Sequence, residues 1–206
     1  MLLALSLLAM LLSLRIGSAP ISVGDLMNMI LGRGKDSAPL LQSILLEVRM
    51  PRILLSSLVG LALGASGTVM QSLLQNPLAS SYTLGVSSGA SLGASTVMLL
   101  GINFMSTSIS MSLAGFAFGL VTVFIVLLFA QQFSQSLDNQ TIILVGMVFS
   151  LFVNSFLTLM MTFSPDYMQR IIFWQLGSFS GASWENVQLL ALLFVFSFIC
   201  LLYFHR

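Results

Sequence analysis

Residues 70–93 read MQSLLQNPLASSYTLGVSSGASLG. This stretch holds two glutamines, an asparagine, a proline, six serines and three glycines, yet long apolar runs lie on both sides. Two readings compete: a solvated loop between helices, or a polar segment held at depth in an apolar medium. The rest of the chain names the medium. Of 206 residues, 57% are hydrophobic and 6% charged, whereas a soluble domain is about a quarter charged. With a mean hydropathy of +1.04, lipid is the natural solvent.

Composition also excludes function classes. A net charge of +1 is not the concentrated basic face that a nucleic-acid partner requires. The single cysteine, Cys200, permits no disulfide framework and no CxxC metal site. The lone histidine, His205, leaves no His-based catalytic pair. Residues 85–93, GVSSGASLG, lack the Gly-Lys-Ser/Thr ending of a phosphate loop. The expectation is a chain with no catalytic residues, no metal and no cofactor.

Working outward, six segments could span a membrane: 1–16, 52–74, 84–100, 107–130, 141–162 and 187–204. With no water to pair the backbone, all six should be helices. The first could be the core of a signal peptide, but no basic residue precedes it and Arg15 follows it. Gly17-Ser18-Ala19 then runs into Pro20, so a span is the better reading. The connection 15–51 carries Arg15, Asp25, Arg33, Lys35, Asp36, Glu47 and Arg49. Within it, residues 22–31 (SVGDLMNMIL) read as a short amphipathic helix, with Ser22 and Asp25 spaced as a capping pair. Residues 131–140 read as a polar turn. Residues 163–186 read as a connection holding Trp174 and Trp184 at the membrane boundary. Ser183 and Glu185 mark the start of the last helix.

The acids Asp25, Asp36, Glu47, Asp138, Asp166 and Glu185 all fall outside the apolar cores. Ion-driven carriers keep an ionisable group inside the bundle, so the energy for transport is expected from elsewhere. An ion-coupled secondary transporter or a channel subunit is the alternative. Gly60, Gly64, Gly67 and Gln71 share one helical face, as do Gly85, Gly89 and Gly93, then Gly115 and Gly119. Gly146, Ser150 and Asn154 line up similarly. Close helix packing explains the glycines of the third and fourth spans. The amides of Gln71 and Asn154 need a partner or water, so packing and the lining of a wetted path stay equally open for their faces.

The run 49–95 resembles the permease subunits of ATP-binding-cassette importers of the FecCD type, which carry iron–siderophores, haem and cobalamin. The matching residues are Arg49-x-Pro51-Arg52, Gly60 through Gly67, Gln71, Asn76-Pro77-Leu78-Ala79 and Leu84-Gly85-Val86-Ser87-Ser88-Gly89-Ala90. Further on, 142–156 (IILVGMVFSLFVNSF) and 173–187 (FWQLGSFSGASWENV) match as well. The resemblance implies an all-α, polytopic membrane helical bundle, with residues 1–206 forming one transmembrane permease domain. About six helices of a ten-helix importer permease would be present. It implies a second permease copy as homodimer or pseudo-dimer, two cytoplasmic ATPase subunits, and an extracytoplasmic substrate-binding protein. The setting would be the cytoplasmic membrane of a prokaryote, crossed several times, and the cargo an iron–siderophore or related chelate.

Site residues follow from the same resemblance. Arg49 and Arg52 match the external Arg-x-x-Arg that meets acidic groups of the binding protein; anchoring in lipid headgroups is the competing reading. Asn76, Pro77 and Leu78 match the turn that narrows the cytoplasmic mouth, and Ser136 and Leu137 align with a second narrowing. Gly60, Gly64, Gly67, Gln71 and Asn154 would line the translocation path. Three departures stand out. Ser80-Ser81 follow Ala79 where the family carries a proline two residues on. Four spans and the ATPase-docking segment of the family are not matched. The family topology puts 15–52 outside, although five of the seven basic residues lie there and the positive-inside rule would place them inside.

Overall fold

The computed structural model describes residues 1–17, 24, 39–102 and 107–204, and every regular element among them is a helix. In chain order these are α1 (Leu2–Arg15), α2 (Pro39–Ser43), a π-helical segment (Ile44–Arg49), α3 (Met50–Leu73), α4 (Val86–Leu100), α5 (Thr107–Phe133), α6 (Asn139–Phe163), α7 (Pro165–Leu176) and α8 (Trp184–Phe204). The amphipathic helix expected over 22–31 lies, apart from Gly24, outside the described residues.

Pro51 shapes the first long helix. It has no N–H, and its ring collides with the carbonyl four residues back in an α-helix. Just before it the chain widens into the π-helical segment, where the Met50 N–H bonds to the Leu45 carbonyl five residues back. The wider turn moves the carbonyls aside, so the helix continues without a break from Leu41 to Leu73. At its far end Asn76 N–H reaches the Gln71 carbonyl and Gln75 N–H the Ser72 carbonyl. This is a Schellman closure with Gln75 at φ 46°, a left-handed position that usually goes to glycine.

Shorter-range signals set the other boundaries. Gly85 (φ 75°) opens α4 and Gly101 (φ 63°) closes it. Asp138 caps α6, accepting from the Thr141 N–H. Ser164 and Pro165 end α6 and start α7, with the proline in the first turn, where its missing N–H has no helical partner to lose. Ser183 accepts from Asn186 N–H at 3.3 Å, the cap expected for α8. Residues 163–186, expected to be a connection, contain the twelve-residue α7.

Each of the six apolar segments carries a helix. By length and composition, four described helices are sufficient to cross a membrane: Leu41–Leu73, Ile109–Phe133, Asn139–Phe163 and Trp184–Tyr203. Ala4–Leu14 and Val86–Leu100 are apolar but shorter, and fifteen residues rise only about 22 Å against a core of about 30 Å.

The chain forms two compact units. One comprises Met1–Gly64 with Ser178–Arg206, the other Ala65–Gly177. In the second, α4 lies along α5, α6 packs on both, and α7 packs on α4 and α6. Glycine makes this possible. A Cβ added at Gly89 would collide with Thr122, and one at Gly93 would sit 2.5 Å from the Ala114 carbonyl oxygen and 2.7 Å from Phe118 Cβ. Such close approach gains dispersion contacts that lipid tails cannot match. Ala94, Val126 and Ala130 are buried along this seam. So is Ser95, whose hydroxyl has no hydrogen-bond partner among the described residues. The packing reading of the third- and fourth-span glycines is what the structure displays.

Candidate functional site

The turn 74–85 is built from its own side chains. Asn76 Oδ1 accepts from Leu78 N–H at 2.9 Å, an Asx turn, and Ala79 N–H returns to the Asn76 carbonyl. Gln71, from the last turn of α3, donates through Nε2 to the Pro77 carbonyl at 3.0 Å. One amide of the expected path thus braces the expected gate. Thr83 Oγ1 donates to the Ser80 carbonyl and accepts from Ser80 N–H, at 2.7 and 2.9 Å. Ser87 Oγ donates to Ser81 Oγ at 3.2 Å. The serines standing where the family has a proline are therefore tied in, and the turn closes without it.

The inner side of the turn is seated on α6. Leu74, Ala79 and Leu84 are buried together, with Met70, Val86, Ile142 and Ile143 against them. A Cβ on Gly146 would collide with the Thr83 carbonyl and lie 2.8 Å from Leu84 Cα. Ser150 Oγ donates to the Tyr82 carbonyl at 3.0 Å. Gly146 and Ser150 are thus the seat of the turn. Asn154 is not part of it: its side chain is exposed and its amide makes no hydrogen bond among the described residues. Val153 and Leu157 hold the packed face instead.

The outer side is open. Leu78 is 81% exposed at the tip, and Pro77 is exposed beside it. Gln75, Asn76 and Pro77 share a cleft with Asn139, Gln140 and Ile143. The structure therefore brings the first expected narrowing beside the start of α6, which Ser136 and Leu137 precede. Leu137 has φ 51°, and Ser134 and Ser136 hydroxyls lie 3.1 Å apart. The carboxylate of Asp138 is held below the ordinary carboxylate range, first by the Ser134 hydroxyl and then by Thr141 N–H and Oγ1. These donors favour the charged form, and the helix N-terminus adds to it.

Gly60, Gly64, Gly67 and Gln71 keep their shared face on α3. A Cβ added at any of the three glycines meets nothing within 4 Å, in contrast to the glycines of α4. Within the first unit, Arg49 is 8% exposed and its Nη1 donates to the Leu14 carbonyl at 2.6 Å. Arg52 is exposed, with Nε 3.1 Å from the Phe179 carbonyl and Nη2 3.3 Å from that of Ser180. The role of Trp184 was not read from the sequence beyond a boundary position. Its indole Nε1 donates to the Leu46 carbonyl at 2.9 Å, the acceptor that Pro51 would have used in π-helical register. A proline inside an apolar helix is the signal: it leaves a carbonyl that must find a donor.

Comparison with known proteins follows the same outline. The model of the FecCD transport family matches residues 4–206. The uncharacterized ABC transporter permease protein YvrB of Bacillus subtilis is 36% identical over 80% of this chain and 47% of its own length. The vitamin B12 import system permease protein BtuC of Escherichia coli is 35% identical over 95% of this chain and 56% of its own. The molybdate import system permease protein MolB of Haemophilus influenzae is 31% identical over 85% and 52%. The chain thus spans about half the length of the curated relatives it matches. A solved structure described as an ABC transporter of metal-chelate type, in an inward-facing conformation, superposes with a TM-score of 0.79 at 27% identity. That match covers 98% of this chain and 60% of the other.

Proposed function

We propose, on the premise that the chain belongs to the FecCD transport family, that it is a permease part of an ATP-driven importer in a prokaryotic cytoplasmic membrane. Residues 1–206 act as one transmembrane domain in this reading. The cargo is a metal-containing chelate, and an iron–siderophore is the finer choice within that class. The energy comes from ATPase subunits on separate chains, and an extracytoplasmic binding protein delivers the cargo to a pair of permease copies.

The observation that carries this reading is the treatment of charge. No Asp, Glu, Lys or Arg occurs between Arg52 and Asp138, so α4 and α5 offer no group for proton or sodium coupling. The polar resources are instead a bare glycine face on α3, the Gln71 amide at its end, and a braced turn carrying an exposed leucine. The face of Gly60, Gly64, Gly67 and Gln71, with Asn154, is the path lining in this account. Asn76, Pro77 and Leu78, with Ser136 and Leu137, form the cytoplasmic narrowing. Of the two arginines expected outside, the exposed Arg52 is the docking group in this account, and the buried Arg49 supports it through the Leu14 carbonyl.

Co-purification from membranes tests the proposal. The expected result is a nucleotide-hydrolysing partner whose turnover rises when a substrate-binding protein is added. Isolation of a permease that moves its cargo on an ion gradient with no such partner would overturn it. A panel of ferric siderophores, cobalamin, haem and molybdate then decides the cargo: competition by the siderophores alone supports the finer choice, and competition by molybdate alone removes the whole chelate class.

A further inference from the structure

Arg49 and Arg52 are three residues apart, close to one helical turn, yet the structure employs them differently. Arg49 Nη1 reaches the Leu14 carbonyl, one of those left without helical partners at the C-terminus of α1, where a cation is favoured. A Cβ on Gly17 would lie 2.6 Å from its Nη2, so the chain leaving α1 folds over the guanidinium. Arg49 is a buried helix cap. Arg52 is an exposed clamp on the loop before α8, gripping two backbone carbonyls through two nitrogens.

That grip is exchangeable. A carboxylate accepts from a guanidinium bidentately and brings a full negative charge where the two backbone carbonyls bring only partial ones. An acidic group offered to Arg52 therefore displaces the carbonyls. Phe179 O would keep Ala182 N–H at 3.2 Å, whereas Ser180 O has no other hydrogen bond among the described residues. Trp184, bound to Leu46, would still fix the far end of the loop. Among the described residues, 178–183 then keep only short-range hydrogen bonds. Ser178 Oγ donates to Ser180 Oγ and accepts from Ser180 N–H. Asn186 Nδ2 donates to the Gly181 carbonyl at 3.4 Å, and Asn186 N–H to Ser183 Oγ.

We propose that Arg52 is a latch: a carboxylate on the extracytoplasmic partner takes its guanidinium from Phe179 and Ser180 and so releases residues 178–183, while Arg49 holds α1 and takes no part in docking. The inference rests on the docking reading given above and adds the loop response to it.

Gly181 provides the reporter. A Cβ there meets nothing within 4 Å, so a cysteine carrying a nitroxide fits, in a Cys200→Ser background that removes the native thiol. The protein is placed in lipid nanodiscs at low ionic strength, where surface charge pairing is least screened. Hexaglutamate is the probe and hexaglutamine the control. The expected result is a restrained label that hexaglutamate mobilises and hexaglutamine does not. Arg52→Ala should give a mobile label from the outset that no longer responds. Arg49→Gln should keep both the restraint and the response. A label equally restrained in Arg52→Ala overturns the latch, and loss of the response in Arg49→Gln overturns the division of roles. Equal hexaglutamate affinity in wild type and Arg52→Ala removes the docking reading itself, while label mobility in Arg52→Ala still reports on the clamp.

Discussion

Replacing Gly93 with alanine should unseat α4 from α5, and the size of the effect follows from the geometry. The new Cβ would lie 2.5 Å from the Ala114 carbonyl oxygen and 2.7 Å from both Cβ and Cγ of Phe118. Ordinary contact lies near 3.5 Å, so the helices must part by about 1 Å along a seam packed throughout. Overpacking of this kind costs about 1–3 kcal/mol. Since backbone rather than a flexible side-chain end is struck, the upper figure applies. Alanine returns about 1 kcal/mol through helix propensity. The net loss is about 2 kcal/mol, or about thirtyfold in the unfolding constant. Reversible unfolding of the protein in mixed detergent micelles measures it. The same substitution at Gly60, Gly64 or Gly67 meets no atom within 4 Å and should leave stability unchanged or raised by up to about 1 kcal/mol. If that face lines the path, transport by these variants falls while they remain folded. A Gly93→Ala protein as stable as wild type, or a Gly64→Ala protein as damaged as Gly93→Ala, would refute the division between packing and open faces.

Further outcomes concern the two turns. Gln75→Gly should stabilise by roughly 1 kcal/mol, because glycine occupies the φ 46° position without the Cβ penalty of the left-handed region; a lower melting temperature would count against the Schellman closure. Ser80→Pro removes the N–H that Thr83 Oγ1 accepts and should lower stability by about 1–3 kcal/mol, whereas Thr83→Ser, which retains the hydroxyl, should lower it by less. Asp138 has a folded pKa below its ordinary value, so its contribution is present above the unfolded pKa of about 4 and is lost as pH falls through the lower folded value. Melting curves of wild type and Asp138→Asn should therefore differ at neutral pH and converge in acid; a constant gap would show that the charge does not matter.

Much of this architecture was legible in residue order. The apolar runs located six helices, since a chain that cannot pair its backbone with water has few alternatives. The spacing of Gly89 and Gly93 announced a close helix pair. What stayed hidden was mostly decided by partners distant in sequence. Gly146 and Ser150 looked like a continuation of the face ending at Asn154, but they seat the Thr83–Leu84 backbone, which no local pattern encodes. Gln71 looked like a path residue and is also the brace of the Pro77 carbonyl, six positions on. α7 has a start in Ser164-Pro165-Asp166 and a stop at Gly177, but at twelve residues it is too short to span, and Trp174 within it and Trp184 after it fit a boundary connection equally well. The pairing of Trp184 with Leu46 follows from Pro51, but the choice of donor, 138 residues away, belongs to tertiary structure.

The proposed function has transport driven by nucleotide hydrolysis on a partner and not by an ion gradient. Uptake into proteoliposomes holding the permease and its co-purifying ATPase, with binding protein and a radiolabelled ferric chelate outside, tests it most directly. Accumulation should require ATP in the lumen and persist when protonophore and sodium ionophore collapse the gradients. Accumulation without ATP that vanishes on adding the ionophores would overturn the proposed function.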